Sequence, residues 1–219
     1  MKRQLTRIAA LVLYLLIASV NLNAQETAVF NYTVEIELTS DQGDMPTKEY
    51  LKNYGVKGIK RGPEYVYKVV NPFLISQLEK SGMDLLPLDT LSSVKSNRYG
   101  FPSANLSKAV ATEVADQYLR IHLKDISSLS LDGSNQTDPL EQQKKIVKMR
   151  CRIQVYSSDK NLIQDVEGVF HTGDKIDNAG ELGIDFRRVS GTIHDQELKV
   201  YETCAKMAIY KAVQALMEK

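Results

Sequence analysis

The chain has few of the residues from which common scaffolds and metal sites are built. Its 219 residues include only two cysteines and three histidines, and no tryptophan. Two cysteines are too few for a disulfide-rich scaffold or a four-cysteine zinc site. A net charge of +1 argues against a protein that coats nucleic acid. With 43% hydrophobic and 25% charged residues, the chain is neither disordered nor a multi-span membrane protein.

The motifs of the common enzyme classes are missing as well. The sequence contains no Gly-x-Ser-x-Gly elbow, phosphate-binding glycine loop, dinucleotide fingerprint or His-Glu-x-x-His zinc motif. We therefore expect no catalytic, cofactor-binding or metal-binding residues, and an enzyme is the less favoured interpretation.

The first 24 residues have the three-part pattern of a secretory signal peptide. Lys2, Arg3 and Arg7 are basic, and residues 8–20 form an uncharged apolar run, shorter than the roughly 20 residues that span a membrane. Ala24 is the small residue before the expected cleavage point, where no cysteine could carry a lipid anchor. We expect a bacterial periplasmic or secreted protein with no transmembrane span after cleavage. Its remaining 25 basic and 27 acidic residues give a net charge of −2, which suggests no nucleic-acid partner.

Residues 25–219 are expected to form a single domain. Residues 39–63 and 171–194 are polar and glycine-containing, as in long loops. The alternating strands each have one polar face, whereas a doubly wound parallel sheet is buried on both. We predict an α+β two-layer sandwich, with a mixed, mostly antiparallel sheet and about three helices on one face. Outside the hairpin described next, the predicted strands are 30–38, 65–70, 83–88 and 119–124, and the helices are 71–81, 103–116 and 195–217.

The clearest local pattern is a β-hairpin over residues 147–170. A two-residue loop at 159–160 pairs residues whose numbers sum to 319. Apolar side chains then face apolar ones and basic side chains face acidic ones, so the acidic return strand should neutralise the basic run that ends at Arg152. The predicted pairs are Ile153 with Val166, Cys151 with Gly168, Met149 with Phe170, Arg152 with Glu167, and Gln154 with Asp165.

The last predicted helix, residues 195–217, has Asp195 as its N-cap and an alanine-rich side that could approach a sheet closely. The charged Lys199, Glu202, Lys206 and Lys211 lie largely outside that side. The apolar side consists of Tyr201, Cys204, Ala205, Ala208, Ala212, Ala215 and Leu216.

Two alternatives are open for Cys151 and Cys204, both predicted to face the core. If the last helix packs on the strand of Cys151, a disulfide could join them in an exported protein and stabilise it by roughly 3–4 kcal/mol. Otherwise they are unpaired core thiols that behave as small hydrophobic residues.

A polar pocket on loop 171–194 is the alternative candidate site. His171, Asp174, Asp177, Glu181 and His194 could line it, although their spacing matches no calcium loop. The third histidine, His122, is predicted to lie on the solvent-facing side of its strand.

A family resemblance accompanies these patterns. Residues 78–87, Leu-Glu-Lys-Ser-Gly-Met-Asp-Leu-Leu-Pro, resemble the helix–glycine–strand step of the anticodon-binding-like envelope domains, the group of the curli-secretion channel subunit and the Tol-system propeller amino-terminal domain. Residues 115–121, Ala-Asp-Gln-Tyr-Leu-Arg-Ile, are similar to that group's Ala-Asp-aromatic helix end, with Gln117 inserted. The resemblance spans residues 29–38 and 64–217. It implies a non-catalytic envelope domain that assembles with other proteins.

The chain departs from that family's channel-forming members, since it has a long insertion at 39–63, no lipidated cysteine and no hairpin suited to an outer-membrane barrel. We therefore expect an exported, non-enzymatic envelope domain that acts in assembly or protein interaction, with other envelope proteins or a second copy as partner. The alternative is a hydrolase or small-ligand-binding protein with its site on loop 171–194.

Overall fold

The computed structural model describes residues 25–36, 62–91, 93–127, 147–172, 174–175, 182, 184 and 193–218. The predicted leader and most of both predicted loops lie outside these residues. No helix within the described ranges is long and apolar enough to cross a membrane. The strands are β1 (Glu26–Glu35), β2 (Asp84–Leu85), β3 (Gln117–Asp125), β4 (Lys148–Ser157) and β5 (Leu162–His171), and the helices are α1 (Gly62–Lys80), α2 (Leu106–Val110) and α3 (Ile193–Met217).

The five strands form one sheet in the order β2-β1-β3-β4-β5. Strand β1 runs parallel to β2 and β3, whereas β4 runs antiparallel to both of its neighbours, β3 and β5. The prediction of an α+β fold with a mixed sheet is therefore confirmed. Two of the four pairings are parallel, so the sheet is less antiparallel than predicted.

The hairpin register is confirmed at all five predicted pairs, but its loop has a different geometry. Ser157 and Asn161 are hydrogen-bonded across a three-residue loop, and Lys160 adopts the left-handed conformation with φ of 67°. Val155 pairs with Gln164 and Tyr156 with Leu162, so β5 contains one extra residue there. This bulge offsets the extra loop residue and restores the predicted alternation further along the strands.

Strand β1 also contains a bulge, which reverses the predicted direction of one side chain. Its pairing with β3 shifts between Val29 and Asn31. Phe30 consequently packs with Tyr118, whereas Tyr32 packs in the main core. The alternation predicted for the strand over residues 30–38 would place Phe30 and Tyr32 on one face, and this is wrong, because a bulge inserts one residue into the period of two.

Helix α1 replaces the predicted strand at residues 65–70 and extends the helix predicted over residues 71–81 toward the N-terminus. Aromatic and β-branched residues favour strands locally, but the buried residues of α1 among its described side chains recur with a helical period. The helix includes Pro72 and ends as predicted before Gly82, which has φ of +88°. The buried side chains are Val70, Leu74, Gln77 and Leu78.

The predicted helix 103–116 is shortened to α2. Asn105 caps it by accepting a 2.9 Å hydrogen bond from the backbone N–H of Lys108. Soon after the helix ends, Glu113 has φ of 53°, in the left-handed region. Val114, within the predicted helix but beyond α2, is 37% exposed.

The helices lie on both faces of the sheet. Leu119 belongs to the core that contains α1 and α3, whereas its neighbour Tyr118 packs with Ala109 of α2. Because adjacent residues of a strand point to opposite faces, α2 lies on the face away from α1 and α3. The predicted placement of three helices on one face is therefore wrong. We call the side covered by α1 and α3 the inner face, and the opposite side the outer face.

Helix α3 approaches β5 with backbone against backbone. A Cβ added to Gly168 would lie 2.2 Å from the carbonyl oxygen of Ala208 and 2.3 Å from the amide nitrogen of Ala212. The predicted alanine-rich contact is thus confirmed, although the helix begins at Ile193, so Asp195 lies in its first turn. Glycine on the strand and alanine on the helix allow the two backbones to lie this close together.

We predict that Gly168→Ala lowers the free energy of unfolding by about 3 kcal/mol, because the added methyl group meets helix backbone that has no rotamer to change. Urea denaturation measures this directly. Glu167→Ala, at the exposed neighbouring position, should stay within about 0.5 kcal/mol of the wild type. Equal stability of the two variants would contradict the close contact.

Candidate functional site

His171 and Asp174, two of the predicted pocket residues, do meet at the end of β5. His171 Nε2 lies 2.8 Å from Asp174 Oδ1, and the backbone N–H of His171 donates a 3.2 Å hydrogen bond to Oδ2. Lys211 of α3 approaches the same carboxylate at 3.3 Å, with its ammonium 5.2 Å from the centroid of the Phe170 ring. This cluster therefore joins the end of β5 to α3 through one carboxylate.

The pKa of Asp174 reflects these contacts. Burial raises it, but the backbone N–H of His171 and the Lys211 ammonium together lower it more, so the pKa lies below its ordinary value. A lowered pKa in the folded state stabilises the protein at pH values above the ordinary carboxyl pKa of about 3.9, and this contribution is lost as the pH falls through the folded value.

We predict that Lys211→Met raises the pKa of Asp174 toward its ordinary value, because the variant loses the ammonium that favours the carboxylate. An NMR titration of the Asp174 carboxyl group measures the shift. Lys80→Met, which removes an exposed charge at the end of α1, serves as the control and should leave this pKa unchanged. An unaltered Asp174 pKa in Lys211→Met would contradict the assigned contact.

The rest of the predicted pocket is not assembled by the described residues. Asp177 and Glu181 lie outside them, and His194 lies in the first turn of α3 with its side chain outside the described part. Within the described ranges no three histidine, cysteine or acidic residues are grouped so that they could hold a metal ion.

The outer face of β4 and β5 carries paired charges. Arg152 Nε donates a 2.8 Å hydrogen bond to Asp165, and Arg150 lies 3.8 Å from Glu167. Each arginine thus contacts the acidic residue that lies two positions before its register partner on β5. The prediction that the acidic strand neutralises the basic one is confirmed for these two arginines.

His122 lies on the outer face, as predicted, beside Glu35. The imidazole Nε2 and the Lys124 ammonium are each 3.1 Å from one oxygen of this carboxylate. The hydrogen bond from Lys124 lowers the pKa of Glu35; burial opposes the shift, and His122 adds to it. His122 is therefore part of a surface ion cluster.

Both cysteines are buried free thiols in the structure, the second of the two alternatives. Cys151 lies between Leu123 and Gly168 in the sheet, and Cys204 Sγ lies 3.8 Å from the carbonyl oxygen of Val147. Burial raises the pKa of each thiol to about 12. Neither thiol is suited to act as a nucleophile, because the reactive form is the thiolate.

We predict that a thiol reagent finds two free thiols in the denatured, unreduced protein and almost none in the native protein within the same time. Burial and a high thiol pKa both slow the native reaction. Cys204→Ala should give one thiol after denaturation. A count of zero in the denatured wild type would instead establish the disulfide.

Glu202 of α3 is a buried charge that the sequence pattern did not reveal. It is only 1% exposed and accepts from Lys206 at 2.7 Å and Lys199 at 3.4 Å. The Lys206 ammonium also lies 5.9 Å from the centroid of the Phe73 ring of α1. Lys199 and Glu202, which were predicted to lie outside the apolar side of α3, are therefore buried, whereas Lys211 is exposed. The carboxylate of Glu202 is compensated, as buried charges require.

The three most exposed large apolar side chains of the described residues lie at the tip of the hairpin and at the end of α3. Leu162 and Ile163 are each 50% exposed, and Met217 at the end of α3 is 55% exposed. Gln164 donates a hydrogen bond of 3.5 Å to the carbonyl oxygen of Leu216, which brings these elements together. We call Leu162, Ile163 and Met217 the tip patch.

The comparisons with known proteins leave the function to be inferred from geometry. No protein-family model matches this sequence, and a search of the curated proteins finds no significant match. Sequence reasoning named His171 and Asp174 as candidate pocket residues but missed the tip patch. Its one local signal is the succession of Leu162 and Ile163, which interrupts the alternation of β5.

Proposed function

We propose that this chain is an exported, non-enzymatic domain of the bacterial cell envelope that binds another protein through β5 and the tip patch. The observation that carries the proposal is the open end of the sheet. Strand β5 has β4 on one side and, within the described residues, no strand on the other. An unpaired edge offers backbone donors and acceptors to an added strand, and apolar side chains beside it supply binding energy.

The occupant we infer is an extended segment of a different protein. If two copies paired antiparallel through β5, each strand end would lie against the opposite end of its partner. Leu162 and Ile163 would then lie near His171 and Asp174 of the second copy, a charged region. A partner segment with apolar residues beside the tip patch avoids this mismatch, so another envelope protein fits better than self-association.

Two features of the sequence support the proposed location in the cell envelope and the proposed role in assembly. The leader pattern of residues 1–24 favours export. The resemblance of residues 78–87 and 115–121 to anticodon-binding-like envelope domains implies assembly with other proteins. The single domain and the cleavage after Ala24 belong to the same proposal.

We predict that Ile163→Lys weakens partner capture from an envelope extract about tenfold or more, because a lysine would have to be buried where an isoleucine was. Quantitative mass spectrometry of proteins retained by the immobilised chain measures this loss. Val114→Lys is the matched control, since it places the same charge at an exposed apolar position outside the tip patch.

The supporting result is a protein that Val114→Lys retains and Ile163→Lys loses, and whose binding protects backbone amides of β5 from hydrogen exchange. Retention of the same proteins by both variants would contradict the proposal. A concentration-dependent dimer in light scattering that Ile163→Lys abolishes would identify a second copy as the partner instead.

The second candidate function is a hydrolase or small-ligand-binding protein with its site on loop 171–194. The observation in its favour is the contact between His171 and Asp174, which can orient an imidazole as a general base. Asp174 also pairs with Lys211, which favours a role in joining β5 to α3.

A further inference from the structure

A second site lies on the outer face, where a pocket of about 400 Å³ opens beside the bulge of β1. The bulge directs Phe30 into this face, and Arg120 and Tyr156 from β3 and β4 complete the sheet side. The segment around α2 forms the wall. The remaining lining residues are Asn31, Lys95, Ser103, Ala104, Asn105, Leu106 and Lys108.

Backbone hydrogen bonds hold this wall against the sheet. The N–H of Tyr32 donates to the carbonyl oxygen of Pro102 at 2.9 Å, and the N–H of Ala104 donates to the carbonyl oxygen of Phe30 at 3.0 Å. The side-chain amide of Asn31 reaches the carbonyl oxygen of Ala104 at 3.4 Å. The pocket is therefore fixed by the same contacts that cover the edge of β1.

The charge of the lining is of one sign. Lys95, Lys108 and Arg120 line the pocket, and the described lining residues include no acidic side chain. None of these three cations has a carboxylate partner among the ion pairs of the described residues. On the same face Lys124, by contrast, pairs with Glu35 at 3.1 Å. Three uncompensated positive charges around one concave site create a potential that attracts anions.

The other lining residues indicate what the anion is attached to. Phe30 and Tyr156 are in edge-to-face contact, with ring centroids 5.9 Å apart, and Leu106 and Ala104 add apolar surface. Asn105 is already used as the cap of α2. The volume lies within the range of sites for small organic ligands.

We propose that this pocket binds a small phosphate ester with an aromatic or other apolar group. The dianionic phosphate is held by Arg120, Lys108 and Lys95, and the apolar group lies against Tyr156 and Phe30. A dianion matches three cations better than a single carboxylate does, and arginine can bind phosphate in a bidentate manner. This site is separate from the tip patch, so it does not depend on the proposed protein partner.

The test is an NMR titration of the purified protein with phenyl phosphate, benzoate and inorganic phosphate. We expect saturable shifts of amides around Phe30, Ser103 and Arg120, with phenyl phosphate binding more tightly than the other two probes. Arg120→Gln should weaken phenyl phosphate about tenfold or more, as expected for the loss of a charged hydrogen-bond donor. Lys108→Gln should weaken it in the same direction.

Lys80→Gln changes the net charge equally from an exposed position outside the pocket, and its affinity should stay close to that of the wild type. The proposal is overturned if phenyl phosphate causes no saturable shifts up to about 10 mM, a limit that corresponds to negligible affinity. It is overturned equally if Arg120→Gln and Lys80→Gln bind alike, or if benzoate binds as tightly as phenyl phosphate.

Discussion

The contact of α3 with Gly168 is the constraint on which the rest of the structure depends. Because the strand has no side chain there, the helix backbone at Ala208 and Ala212 lies directly on the sheet. The distance of α3 from the sheet and its rotation about its own axis are then fixed, since any larger side chain at residue 168 would push the helix away from the sheet. The same placement brings Lys211 to Asp174 and closes the inner face. One glycine thus links the hairpin, the long helix and the charged cluster at the end of β5.

Because α1 and α3 cover the inner face, both proposed binding sites lie elsewhere, at the hairpin edge and on the outer face. The tip patch combines the start of β5 with the end of α3, and the pocket beside Phe30 combines three strands with the segment around α2. Neither could be predicted from the sequence, because their residues become neighbours only in the folded sheet. The contact of His171 with Asp174 was predictable, since three residues separate them. Lys211 and Arg120 carry no comparable local signal.

Patterns in the sequence predicted the elements whose burial follows a simple period. The hairpin register followed from matched polarity, and the buried side of α3 followed from its alanines. The failures have physical causes. A bulge placed Phe30 and Tyr32 on opposite faces, and residues 65–70 belong to a longer helix. Glu202 is buried because two lysine side chains compensate its charge. The predicted length of the hairpin loop was wrong although the predicted register was right, because one extra loop residue and a bulge at Leu162–Ile163 offset each other.

Hydrogen exchange of the backbone amides of the free protein tests the central claim, a tightly packed α3 beside an open β5 edge. The account predicts slow exchange throughout the buried turns of α3 and along β4. In β5 it predicts alternation, with slow exchange at amides bonded to β4 and fast exchange at amides that point outward. Uniformly slow exchange along β5 would mean that its edge is already covered. Fast exchange in α3 near Ala208 would contradict the packing on Gly168.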